Sequence, residues 1–106
     1  MNHLIYSPKA QNDLDEIWEY ISEKLMNPQA AENTVNGILD SAEILKEHAE
    51  IGTPLYFDSG LFSGYRYIVY KSYLSFYRTI EKSVYIDRVI YGKRDYMKLL
   101  FDGREY

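Results

Sequence analysis

Apolar residues in the first half of the chain recur at helical spacing. Ala10, Leu14, Ile17, Trp18, Ile21 and Leu25 lie 4, 3, 1, 3 and 4 positions apart, while Asp13, Asp15, Glu16, Glu19 and Glu23 fall elsewhere. That stripe predicts an amphipathic helix with a solvated acidic face. Ser7-Pro8 supplies its start, an N-cap followed by proline at the first helical position, where the missing N–H costs nothing. Asn27-Pro28 repeats the signal, and Ala31, Val35, Ile38, Ala42, Leu45 and Ala49 alternate spacings of 4 and 3. Only Met26-Asn27 separates the two patterns, so an antiparallel helical hairpin follows, its alanines allowing close approach. Upstream, residues 2–6 (NHLIY) read as a short strand.

Past Ile51-Gly52 the period changes. Thr53-Pro54 opens a predicted loop to about Gly64, with Leu55, Tyr56, Phe57, Leu61 and Phe62 as anchors onto the core. Three β-type runs follow at 65–70, 73–80 and 84–91, rich in Tyr, Val, Ile and Phe. Lys71-Ser72 and Glu81-Lys82-Ser83 are turns short enough for an antiparallel meander. Beyond Gly92, KRDYMKLLF reads as a short helix from about Arg94 to Phe101. The order β-α-α-β-β-β-α implies an α+β fold. In it a small antiparallel sheet carries the helical hairpin on one face, together with a short C-terminal helix. A two-residue turn at Lys71-Ser72 sets Arg66 opposite Tyr77 and puts Arg66 and Arg78 on different faces; a three-residue turn would set them opposite each other. The two-residue register gives the cleaner apolar face and is preferred.

Composition narrows the class. At 106 residues, with 46% hydrophobic and 26% charged residues, the chain fits one folded domain spanning 1–106. It has no cysteine, which excludes disulfides and thiolate chemistry and suits a reducing cytoplasm. The start, MNHLIYSPK, has too short an apolar run for a signal peptide. No stretch approaches the roughly 18 apolar residues of a membrane span, so a cytoplasmic location is expected. The net charge of −4 conceals an asymmetry. Residues 1–64 carry three basic groups against eleven acids (−8), and residues 65–106 carry nine against five (+4). A polyanion would therefore meet the C-terminal half.

Candidate chemistry concentrates in that half. His3 and His48 lie far apart and have no second ligand at metal spacing, so no metal or cofactor is expected. No glycine-rich phosphate loop is present. Arg66, Arg78 and Arg88 fall within strands, and Lys93 and Arg94 follow the last one. Charges in a small sheet either find acidic partners, here Asp87, Asp95 or Glu81, or line a functional face as forked donors to phosphate. Eight of the twelve tyrosines lie between 65 and 96, which suits half-buried strands as well as base stacking. Tyr96, beside Arg94, is the one placed to reach a mouth of the sheet.

The element order, the opening SPKAQNDLDEIWEYI, the hairpin YRYIVYKSYLSFYR and the ending DRVIYGKRDYMKLLF together resemble the RelE/ParE superfamily of type II toxin–antitoxin toxins. The likeness covers nearly the whole chain. Its most specific element is Gly92, Arg94 and Asp95 between the last strand and a short helix. The resemblance implies a toxin held inactive by a cognate antitoxin, with a hetero-oligomer of the two as the resting form. Its target would be either DNA gyrase, for ParE-type members, or mRNA on the ribosome, for RelE-type members that cleave without a metal. In the nuclease reading the catalytic set is Arg66, Arg94 and, as a substitute, Tyr96. Two further basic positions of those nucleases fall on Ile68 and Leu74, and their C-terminal tyrosine falls near Leu100. In either reading Arg66, Arg78, Lys93 and Arg94 are the target-binding residues. The losses at Ile68 and Leu74, with the SFYR segment, favour a ParE-like gyrase inhibitor over an endoribonuclease. A non-toxic module that only binds antitoxin is a third reading.

Overall fold

Both proline-marked starts form helix caps. In the computed structural model, which describes residues 1–101, the Ser7 hydroxyl accepts from Ala10 N at 3.0 Å and Asn27 accepts from Ala30 N at 3.1 Å. The chain runs β1 (His3–Tyr6), α1 (Pro8–Glu19), a π-helical turn (Tyr20–Lys24), α2 (Pro28–Ser41) and a 3-10 turn (Glu43–Lys46). It continues through β2 (Thr53–Tyr56), β3 (Phe62–Tyr70), β4 (Tyr73–Ile80), β5 (Ser83–Tyr91) and α3 (Tyr96–Phe101). The strands form one five-stranded sheet ordered β1-β5-β4-β3-β2. β1 runs parallel to β5 and every other pairing is antiparallel, so the sheet is mixed and not wholly antiparallel as expected. The helical hairpin between β1 and the meander returns the chain to lay β1 alongside β5.

The α+β class and the hairpin on one face are as expected. The preferred register also holds, with Tyr70 opposite Tyr73 and Arg66 opposite Tyr77. Four details differ. The expected loop at 53–64 contains β2, paired to β3 through Thr53–Tyr67 and Pro54–Arg66. Proline is tolerated there because β2 is an edge strand. Consequently β3 begins at Phe62, three residues before Tyr65, and only Leu55 of the five expected anchors is buried. The second turn is the two residues Glu81-Lys82, because Ser83 already pairs with Ile80 and with His3. α3 starts at Tyr96 and not at Arg94.

Helix α1 departs from its stripe for a physical reason. Leu25 N donates to Tyr20 O at 3.2 Å, an i→i+5 bond that opens a π turn. The wider turn rotates later residues away from the α-helical direction. Ile21 stays buried, but Leu25 is turned outward to 57% exposure, and Trp18, at 39%, also lies outside the core.

Two apolar layers flank the sheet. Between the helices and the sheet, Ala10 and Leu14 of α1, Ile38 of α2, and Ala42 and Leu45 just after it pack with Tyr77, Val84, Ile86 and Val89 of the strands. On the far face α3 covers Leu55, Phe76 and Ile90. Tyr77 fixes the segment entering β2: its hydroxyl donates to Ala49 O at 2.8 Å and accepts from Gly52 N at 2.9 Å. A Cβ on Gly52 would stand 2.4 Å from that hydroxyl oxygen and 2.9 Å from the Tyr67 carbonyl oxygen, so the close approach requires glycine.

Candidate functional site

The charged groups of the sheet are sorted by an irregularity in β5. Phe76 pairs with Arg88 but Tyr77 pairs with Ile86, so Asp87 is an extra residue, a β-bulge. β1 ends beside it: Ser7 N bonds Ile86 O at 2.9 Å and the Ser7 hydroxyl donates to Asp87 O at 2.8 Å. Asp87 receives Arg78 Nε at 2.6 Å and the Tyr65 hydroxyl at 2.9 Å. Burial first, and then Asp87, pushes the Tyr65 phenol up to about 12.

Arg88 sits where β1 has stopped covering β5, and it turns toward the helices. Its Nε and NH2 meet the two oxygens of buried Asp13 at 2.8 and 2.9 Å, while NH1 reaches Leu99 O at 3.4 Å. Asp13 also accepts from Val89 N at 2.9 Å. The hydrogen bond to Asp13 is the first cause of a raised Arg88 pKa, so this guanidinium stays charged. The pairing of Arg78 with Asp87 follows the partner expected from sequence. That of Arg88 does not, and Asp13 leaves the acidic face assigned to it. The available signal was position: Asp13 directly precedes Leu14 on the inward side of α1.

The five candidate residues do not share one groove. Arg66 NH1 donates to Gly52 O at 3.1 Å and Glu50 O at 3.4 Å, and its guanidinium lies 5.7 Å from the Phe62 ring centroid. Although Arg66 and Arg78 belong to opposite faces, both border an open cleft of about 320 Å³ beside Gly64. Lys93 and Arg94 lie at the other end of β4 and β5. The four residue steps from Tyr73 to Tyr77, which is paired with Arg66, span ~13 Å along the strand. Tyr96 joins neither group, since it opens α3 and its ring packs 5.2 Å from that of Phe76 on the sheet. Ile68 packs with the helix-side core and Leu74 with the α3-side core.

Arg94 borders a larger cleft, of about 680 Å³, that the sequence did not reveal. Its walls are Asp13, Glu16, Ile17, Tyr20 and Leu25 from α1 and the π turn, and Tyr73, Val89 and Tyr91 from the sheet. The Tyr73 and Tyr91 rings lie 5.7 Å apart. Burial, followed by the neighbouring Tyr91 and Tyr20 phenols, raises the Tyr73 pKa. Glu16 accepts from Asn12 Nδ2 at 3.2 Å. Among the described residues, the side chains of Lys93 and Arg94 have no hydrogen-bonded or ionic partner. No group of three metal-ligating side chains occurs among those residues.

Residues 4–96 match the family described as ParE toxin of the type II toxin–antitoxin system, parDE. The chain belongs to this ParE toxin family. A search of curated proteins finds no match. Among solved structures, a chain of the chromosomal ParDE toxin–antitoxin system from P. aeruginosa is similar over 84% of this chain and 94% of its own. Its TM-score is 0.71 and its identity 24%. YafQ from E. coli strain BL21(DE3) covers the same 84% here and 91% of its own chain, with a TM-score of 0.50 and 16% identity. At these identities the likeness is one of fold. Membership of the family implies an antitoxin as partner.

Proposed function

We propose that this ParE-family chain is a toxin that inhibits DNA gyrase in the cytoplasm and is neutralised by its cognate antitoxin. The observation that carries the reading is the separation of the cations. Arg66 and Arg94, the two arginines a nuclease reading requires together, border different clefts, and Tyr77 opposite Arg66 is ~13 Å along β4 from Tyr73 at its start. Metal-free cleavage of a phosphodiester needs its charged donors around one phosphate. Adding charge at Ile68 and Leu74 would not repair this, because those positions pack against opposite faces of the sheet. Binding a protein target makes no such demand. Arg66 and Arg78 at one end, and Lys93 and Arg94 at the other, suit contacts spread over a broad surface.

The test uses the purified toxin. With gyrase and relaxed plasmid, the expected result is lost supercoiling or accumulated cleaved DNA, both reversed by antitoxin. Translating ribosomes, followed by primer extension, should show no codon-spaced cuts. Codon-spaced cuts that disappear in Arg94→Ala, with gyrase unaffected, would replace this reading with the endoribonuclease one. Expression without any growth defect would leave an antitoxin-binding module.

A further inference from the structure

The two edges of the sheet are built differently. β2 carries Pro54, which has no N–H to offer, and its pairing with β3 shifts register between Pro54 and Tyr56. Proline and broken register blunt a free strand edge against other chains. β1 forms the opposite edge with neither device: His3, Leu4, Ile5 and Tyr6 pair regularly with β5 and include no proline, lysine or bulge.

The parallel pairing decides which backbone groups of β1 stay open. His3 N bonds Lys82 O and Ser7 N bonds Ile86 O, so odd-numbered residues turn their amides and carbonyls to β5 and even-numbered ones turn theirs outward. Each end of this edge has a stop. Asn2 N is taken by Lys46 O at 2.8 Å, and Pro8 turns the chain into α1. Between the stops, Leu4 and Tyr6 each present an N–H and a C=O. Tyr6 O accepts from the Gln11 amide at 3.0 Å and keeps a second lone pair.

This set is its own complement. A two-fold axis through Ile5 sets Leu4 of one copy opposite Tyr6 of the other and closes four N–H···O=C bonds, and the pairing ends at the stops. From this geometry we infer that β1 pairs antiparallel with β1 of a second copy of this chain, joining two sheets into one of ten strands. Leu4 and Tyr6 pack into the helix-side core, so Ile5 points to the other face beside Tyr85, where it is 40% exposed. The two Ile5 residues meet there as a non-hydrogen-bonded pair with Cα atoms ~4.5 Å apart. There is room for the helices. α1 packs on β5, and the two β5 strands lie three strand spacings apart, ~14 Å, against a helix diameter of about 10–12 Å. Arg78 pairs with Tyr85 on the Ile5 face, so both copies of it come onto one continuous surface five spacings, or ~24 Å, apart. The edge contains none of the residues assigned to target binding, so the inference does not depend on gyrase being the target.

The chain has no cysteine, so Ile5→Cys introduces a single thiol. Under mild oxidation of the full chain it should form covalent dimers roughly tenfold faster than Leu61→Cys, a control exposed on the β2–β3 connection. Wild type should show reversible dimers in sedimentation velocity over roughly 10–300 μM, at physiological salt to screen the charge of −4 on each copy. Ile5→Lys sets like charges opposite each other and should stay monomeric, with an unchanged circular dichroism spectrum. If that variant does not fold, the two cross-linking rates decide alone. Wild type that is monomeric throughout, or Ile5→Cys cross-linking at the control's rate, would overturn the inference. So would dimers of folded Ile5→Lys, which must use another surface. A monomeric toxin whose Leu4 and Tyr6 amides gain hydrogen-exchange protection only on adding antitoxin would give the edge to the antitoxin instead.

Discussion

Asp13 shows how one carboxylate can hold three elements together. It lies on α1, receives two nitrogens of Arg88 from β5 and caps the Val89 N–H, while Arg88 extends to the last turn of α3. Both side chains are largely removed from water, at 9% and 16% exposure. An ion pair in such a place adds little net stability over an apolar substitute, because desolvation offsets most of the attraction. Removing one partner is a different matter, since the other stays buried and uncompensated. Asp13→Ala should therefore lower unfolding free energy by about 3–5 kcal/mol, measured by urea denaturation. Asp13→Asn, which keeps an acceptor for Val89 N, should fall between alanine and wild type. Loss of less than about 1 kcal/mol in Asp13→Ala would mean that Arg88 finds water or another partner at no cost.

Among the elements, Ser7 is where β1, α1 and β5 meet. Its hydroxyl caps α1 at Ala10 N and at the same time donates to Asp87 O at the bulge. Ser7→Ala should cost about 1.5 kcal/mol, toward the upper part of the range for cap removal, because two interactions go at once. A loss of a few tenths in a thermal or urea melt would show that only the cap mattered. Both helix starts at Pro8 and Pro28 and the meander turns were legible because each depends on residues a few positions apart. The strand β2 was not, since Thr53-Pro54 reads locally as a loop and becomes a strand only by pairing with β3. The bulge at Asp87 and the Arg88–Asp13 bridge, spanning 75 positions, likewise exist only once tertiary structure has brought the parts together. Local pattern put Arg66 early in its strand, whereas β3 begins at Phe62 and Arg66 lies at its middle; Lys93 and Arg94 do follow the last strand. It could not say which ends coincide, nor that a π turn would carry Leu25 out of the core and open the cleft beside Arg94.

At the scale of the whole molecule, the opposing charges of the two chain halves become opposing charges of two layers. The acidic first half supplies both long helices, and the basic second half supplies three of the five strands and the turn bearing Lys93 and Arg94. Partly buried tyrosines pack against the aliphatic core on both faces of the sheet, and this ties stability to alkaline pH. Burial, with the charge of Glu43 second, raises Tyr6 to about 12, and Tyr65 reaches about the same value through burial and Asp87. Tyr73 and Tyr77 are raised as well, again chiefly by burial. A phenol with a raised folded pKa holds its proton more tightly when folded than when unfolded, where it ionises near 10. Its contribution is therefore complete below pH 10 and is lost as pH climbs through the folded value. The urea midpoint should stay level to about pH 10 and then fall steadily toward pH 12. A Tyr6→Phe, Tyr65→Phe double variant, lacking two of these phenols, should lose less over that interval than wild type, whatever its midpoint at pH 8. If its midpoint falls as steeply, the alkaline loss arises from lysine deprotonation or general charge repulsion, and the buried phenols are not its cause.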